Sequence, residues 1–181
     1  MPDNASDALR YPIGLFQAPE IIDGEQIDQW MDTIRIFPQT LKNLVGHLRE
    51  HQLDTHYRPK GWTVRQTVHH LADSHMNAYM RFKLALTEDN PTIKPYDEAA
   101  WAQCADYSMP AVTSLIILDG VHTRWSYLLE NMSPLEYRRT YFHPEHNKKY
   151  TLDVVLGMYE WHSRHHYAHI KNILQEKGWV A

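Results

Sequence analysis

The sequence predicts an all-α protein, a four-helix bundle with long connecting loops. Three observations predict it. Apolar residues recur at helical spacing in four long segments. Capping signals bracket those segments. No stretch alternates apolar and polar residues in the manner of a strand, and no internal repeat or low-complexity run breaks the pattern. At 181 residues the chain fits one domain large enough to bury a core.

Residues 1–10 are polar and read as a disordered N-terminus, leaving residues 11–181 as a single domain. Tyr11 to Pro19 mixes Pro12, Gly14 and Pro19 with apolar residues, and reads as an extended arm lying on that domain. The first helix is expected from about Gln26 to about Glu50, carried by Ile27, Trp30, Ile34, Leu41, Leu44, Val45 and Leu48. Pro38 inside it predicts a kink or a restart. The second helix starts at Trp62-Thr63, where Thr63 and Gln66 form a capping-box pattern, and runs to about Thr87. The third runs from Pro110 to Asn131, with Pro110 near the first helical position. The fourth opens at Thr151, with Asp153 in its first turn, and ends near Gly178. Between them, Asn90 to Tyr107 is a long link with a short helix around Asp97 to Gln103. Ser133-Pro134 starts a turn, and Arg139 to Tyr150 reads as a loop.

The whole chain excludes several functions. Its 43% apolar and 22% charged residues are ordinary globular composition. A net charge of -4 gives no basic surplus for nucleic acid. No apolar run approaches the roughly 20 residues of a membrane span, and Met1 to Arg10 lacks the apolar stretch of a secretory signal. Cys104 is the only cysteine, so an internal disulfide is impossible and a cytoplasmic location is expected. Its expected place is as a small buried apolar residue.

The unusual count is 13 histidines, clustered as His69, His70 and His75, then His143 and His146, then His162, His165, His166 and His169. Histidine serves both as metal ligand and as acid/base group. The fourth helix contains two His-x-x-x-His pairs, 162/166 and 165/169, and residues four apart on a helix are stacked neighbours. Helical phase separates the pairs. His166 lies about 20° and His162 about 60° from the centre of the apolar face, whereas His165 lies about 120° away, toward solvent, and His169 about 80°. Two imidazoles facing inward would each cost about 1–3 kcal/mol if left without partners, and a shared divalent cation is the natural partner. Ser163 occupies the Glu position of the metalloprotease His-Glu-x-x-His motif, so this is not that motif.

A third ligand is expected from the second helix. His75 falls on its apolar face, so phase alone nominates it. His70 belongs to a polar stripe of Thr67, His70, Ser74, Asn77 and Arg81, which suits either a solvated flank or a pocket wall. Composition and phase leave that choice open.

The segments Trp62 to Asp73 and Trp161 to Ile170 resemble the two motifs of the DinB/YfiT-like family. The first motif's ligand histidine, eight residues after the tryptophan, maps onto His70; the second motif's pair maps onto His162 and His166. The YfiT branch is the closer likeness, through Tyr11 to Gly14, Asp73 to Asn77, Arg81-Phe82-Lys83 and His143-Pro144-Glu145. The resemblance covers nearly all of residues 11–180. It implies a four-helix bundle, a three-histidine site for one zinc or nickel ion, and a homodimer. His169 departs from the wider family, where Gln is frequent, which leaves it a supporting or occasional ligand role.

Three neutral imidazoles leave a divalent metal its full charge and an open position, where bound water would have its pKa lowered toward about 7. Hydrolysis of a small-molecule substrate is therefore the expected activity. The alternative is a bacillithiol-type thiol S-transferase, because the same position deprotonates a thiol. A second alternative is a non-enzymatic protein that the metal braces, although structural zinc usually takes four protein ligands. Asn77 and Arg81 are candidates to orient an anionic substrate. His143 and His146 are expected in a partly exposed turn near the site mouth rather than as a second metal pair. Trp62, Trp101, Trp125 and Trp161 are expected in core or interface.

Overall fold

A computed structural model describes residues 8–180. The expected disordered N-terminus falls largely outside the described residues; residues 8–10 are helical. Four long helices build the molecule: α1 (Gly24–Val45), α3 (Val64–Thr87), α5 (Val112–Glu130) and α7 (Leu152–Glu176). Short helices α2 (Glu50–Leu53), α4 (Glu98–Trp101) and α6 (Pro134–Tyr137) lie in the links. α1 packs on α5 and α7, and α3 packs on the same two, so α1 and α3 stand at opposite corners of the bundle.

The helix starts follow their sequence signals. Thr63 Oγ1 accepts from Gln66 N, and the Gln66 side chain accepts from Thr63 N, closing the expected capping box on α3. Ser133 and Glu136 close another on α6. Asp23 caps α1 by accepting from Gln26 N at 2.9 Å. Past α7, Gly178 takes φ +67, a conformation glycine adopts without strain. At Gly157 a Cβ would come within 2.7 Å of the Trp30 indole, so glycine lets α1 and α7 approach.

Three expectations need correction. α1 ends at Val45 rather than near Glu50, and Pro38 does not divide it into two helices. The Arg139–Tyr150 link is an antiparallel hairpin, β1 (Thr140–His143) with β2 (Lys148–Thr151). Four-residue strands are too short to show alternation. Cys104 is exposed, because it lies in the surface link between α4 and a short 3-10 turn over Ala105–Ser108.

The core has two apolar parts. One gathers Trp30, Ile34, Phe82, Trp125, Leu152 and Leu156; the other gathers Phe37, Leu41, Leu71, Leu118, Ile170 and Leu174. Along α3, α5 and α7 the boundary between them falls at His75, His122 and His162–His166. A layer of histidines thus crosses the bundle between two apolar masses. Buried polar groups are tolerated there only if partnered, and that requirement defines the site.

Candidate metal centre

α3 contributes His70 and α7 contributes His162 and His166. One ring nitrogen from each of the three lies within 4.8 Å of the others. They are the one such group of three found among the described residues. His70 Nε2 stands 3.2 Å from His162 Nε2. The His162 and His166 rings meet edge to face at 4.5 Å, as a four-residue helical spacing dictates. Trp62, at the start of α3, covers His70 with its indole at 4.5 Å.

Burial sets the charge of these groups. It lowers the His70 imidazole to about 4. It pushes His162 and His166 well below the usual imidazole value, and the neighbouring imidazoles add to the effect. All three are neutral near pH 7 and hold lone pairs. His70 and His166 each have a buried Nδ1 with no hydrogen-bond partner among the described residues. Three neutral nitrogen donors, converging and incompletely partnered, fit a borderline-soft divalent cation.

The other histidines fall elsewhere. His69 is buried but turned to α5, with Nδ1 2.7 Å from Ser114 Oγ and Nε2 3.0 Å from the Met109 carbonyl. His75 stands one ring behind the triangle, its Nε2 3.2 Å from His162 Nδ1. His165 overturns its expected solvent exposure. It is buried, stacked on Trp161 at 4.5 Å and met by Tyr11 at 6.1 Å. The arm covers that outer face of α7, with Trp161 Nε1 donating to the Gly14 carbonyl. Helical phase sees only the bundle and not the arm. His169 is buried too, stacked on Tyr57 at 4.2 Å and donating through Nε2 to the Arg10 carbonyl.

A cavity of about 200 Å³ opens beside the triangle, and His162 forms part of its wall. Ser74, Arg81, Tyr96, Tyr141 and Tyr159 line it with His162. Arg81 is buried and has no carboxylate within salt-bridge distance among the described residues. The Tyr141 and Tyr159 hydroxyls are its neighbours. His143 and His146 stack face to face at 3.9 Å at the hairpin end and also line this cavity, so the loop does reach the site mouth. Asn77 does not line it: its amide donates to the Asp73 carbonyl and it faces a neighbouring cleft. A wider cleft of about 590 Å³ lies between the arm, α1 and α7; it shares Trp161 with this cavity, and none of the three imidazoles lines it.

Sequence reasoning missed His122, which is 1% exposed inside α5. The signal was present: Leu115, Leu118, His122, Trp125 and Leu129 repeat at spacings of 3 and 4, which makes His122 a core position.

A four-helix bundle with a cluster of buried imidazoles at one level of its core defines a class of helical proteins equipped to hold a metal. The chain belongs to the DinB superfamily, whose family model matches residues 33–170. A relative from Oceanobacillus iheyensis, named "Putative metal-dependent hydrolase", is 49% identical over 94% of this chain and 98% of its own length. YfiT of Bacillus subtilis carries the same description and is 46% identical over 94% of this chain and 97% of its own. The solved structure of that YfiT, described as having an unusual four-helix bundle topology, matches with a TM-score of 0.93 over 96% of this chain and 99% of that one. A mycothiol-dependent maleylpyruvate isomerase shares the fold alone, at a TM-score of 0.60 and 14% identity, over 80% of this chain and 59% of that one.

Proposed function

We propose that this chain is a metal-dependent hydrolase in which His70, His162 and His166 hold one zinc or nickel ion. The observation that carries the reading is the convergence of three neutral imidazole nitrogens within 4.8 Å, from buried His70 and His166 and half-buried His162, beside a cavity that His162 lines. The names of close relatives support the metal dependence. When bound, the cation would supply Lewis acidity, polarising a substrate oxygen and making water a stronger nucleophile near neutral pH. The protein's own groups do the rest. The two apolar core masses fix the ligand rings from both sides. Arg81, a buried cation with no carboxylate in salt-bridge contact and only the longer-range charge of Glu98 facing it across the cavity, would take an anionic group of the substrate and orient it against His162. Tyr96 and Tyr159 are pushed above the usual phenol value, chiefly by burial, so their hydroxyls stay protonated as hydrogen-bond donors.

Elemental analysis of the purified protein tests the central claim. About one zinc or nickel per chain is expected, the occupant varying with growth conditions because histidine discriminates poorly between them. Metal-replete protein with none bound would end the reading.

The same proposal makes the protein a cytoplasmic homodimer. The arm touches its own α7 through Gly14 and Phe16 and leaves Ile13 and Leu15 exposed. Exposed Ile36 on α1 and exposed Val112, Ile116 and Tyr127 on α5 offer a further apolar face. Light scattering should give about twice the 21.4 kDa chain mass, and the Ile116→Lys variant should give the chain mass alone. A wild-type value near the chain mass at micromolar concentration contradicts the dimer.

A further inference from the structure

Pro38 lies inside α1 and has no N–H to donate to the Ile34 carbonyl one turn earlier. Ile34 is fully buried, so its carbonyl needs a partner from elsewhere. The partner is His122 on α5, whose Nδ1 stands 2.5 Å from that oxygen. A carbonyl only accepts, so His122 Nδ1 carries the proton. In a neutral imidazole the other nitrogen then holds a lone pair. That nitrogen, His122 Nε2, is 2.8 Å from His75 Nδ1. His75 Nδ1 must donate to it, which leaves His75 Nε2 as an acceptor. His75 Nε2 is 3.2 Å from His162 Nδ1, which donates in turn. Proton counting along the chain leaves His162 Nε2 bare, and this is the atom that faces His70 Nε2 at 3.2 Å.

The neutral form is imposed by the surroundings. His75 is 0% exposed, and neither it nor His122 has an ion-pair partner among the described residues. Phe37 stacks on His75 at 5.7 Å, and Trp125 meets both rings edge-on. The direction of the chain is fixed at its far end, where a backbone oxygen cannot reverse its role.

We propose that His122 and His75 are positioning residues that hold His162 in the Nδ1–H tautomer, so that its Nε2 lone pair faces a divalent cation. This rests on the metal reading above. Metal-ligating histidines commonly donate their second nitrogen to a carboxylate, a carbonyl or water, and that partner tunes both orientation and basicity. Here the first partner is another imidazole, and the carbonyl comes two rings later. Hydrogen bonds in such a chain polarise one another, so each ring makes the next a better acceptor. His70 and His166 lack this support: their Nδ1 atoms have no partner among the described residues. His162 is the ligand whose proton the fold itself places.

The test reads tautomers and affinity in the full chain. Two-bond 1H–15N correlation of histidine-labelled protein, recorded without metal and with zinc, should show His75, His122 and His162 as Nδ1–H tautomers in both states. Zinc affinity, measured by competition with a chelator, should fall about 10–100-fold in His75→Phe. His75→Gln places a side-chain oxygen where Nε2 stood, and should recover most of the loss. A merely structural role for His75 predicts no such split, since phenylalanine is the better replacement for packing. Equal zinc affinity in wild type and His75→Phe, or an Nε2–H tautomer at His75 or His122, overturns the inference. If His75→Phe fails to fold, the wild-type tautomers and His75→Gln decide. Wild-type protein that takes no zinc defeats the metal reading instead, and is told apart because the tautomers are read without metal.

Discussion

Replacing His162 with alanine is expected to cost the protein its metal, with bound zinc falling from about one per chain to below about a tenth after dialysis against a weak chelator. His162 stands between the other parts of the site. Its Nε2 meets His70, its ring packs against His166, and its Nδ1 closes the chain through His75. Removing it takes one donor from three and leaves His75 Nε2 buried without its partner. His70→Ala and His166→Ala should act in the same direction. Two controls give the claim its edge. His69→Ala should keep full metal, because both of its nitrogens are engaged with Ser114 and Met109, away from the triangle. His165→Ala should also keep metal while unfolding at a lower temperature, since the ring is buried between Trp161 and Tyr11. Full zinc occupancy in folded His162→Ala would show that the three imidazoles are core groups and nothing more.

The controls also show what was legible in the sequence. Long helices and their starts were readable because caps and apolar periodicity are local: Thr63 with Gln66 closes its box as the spacing demands. The inward direction of His162 and His166 was readable for the same reason, because both phase with the apolar face of one helix. What failed was non-local. His165 points out of the bundle as phase requires, and then the arm covers it. Pro38 reads locally as a kink or a restart, and nothing local shows that the carbonyl it frees is taken up by a histidine on another helix. Phase alone nominates His75 as the third ligand, because it lies on the apolar face of α3, yet both rings are buried; His70 approaches His162 Nε2 and His75 approaches its Nδ1. No periodicity distinguishes the two sides of an imidazole. The hairpin was missed because four-residue strands lie below the length at which alternation can be counted.

The reaction itself is expected to separate from thiol chemistry in a single pair of assays. With zinc or nickel bound, the protein should turn over small anionic esters or amides with no thiol added. Supplying bacillithiol, glutathione or cysteine should leave that rate unchanged. His162→Ala should abolish turnover, and Arg81→Met should raise KM for an anionic ester far more than for a neutral one of the same size. That contrast follows from the cavity: Arg81 is the buried cation beside His162, its hydroxyl neighbours Tyr141 and Tyr159 are uncharged, and Glu98 faces it across the cavity without forming an ion pair. Losing one charge-assisted hydrogen bond to substrate corresponds to about 1.5–3 kcal/mol, or roughly 10–150-fold in KM. Cobalt-substituted protein gives the competing reading its fair chance. A thiolate ligand adds a sulfur-to-metal charge-transfer band that an oxygen ligand does not. Such a band on titration with bacillithiol, together with conjugation of that thiol to an electrophile, would replace the hydrolase reading with thiol transfer at the same three histidines. Ester turnover with a flat thiol titration leaves hydrolysis, because the two reactions share the site and differ only in which nucleophile enters it.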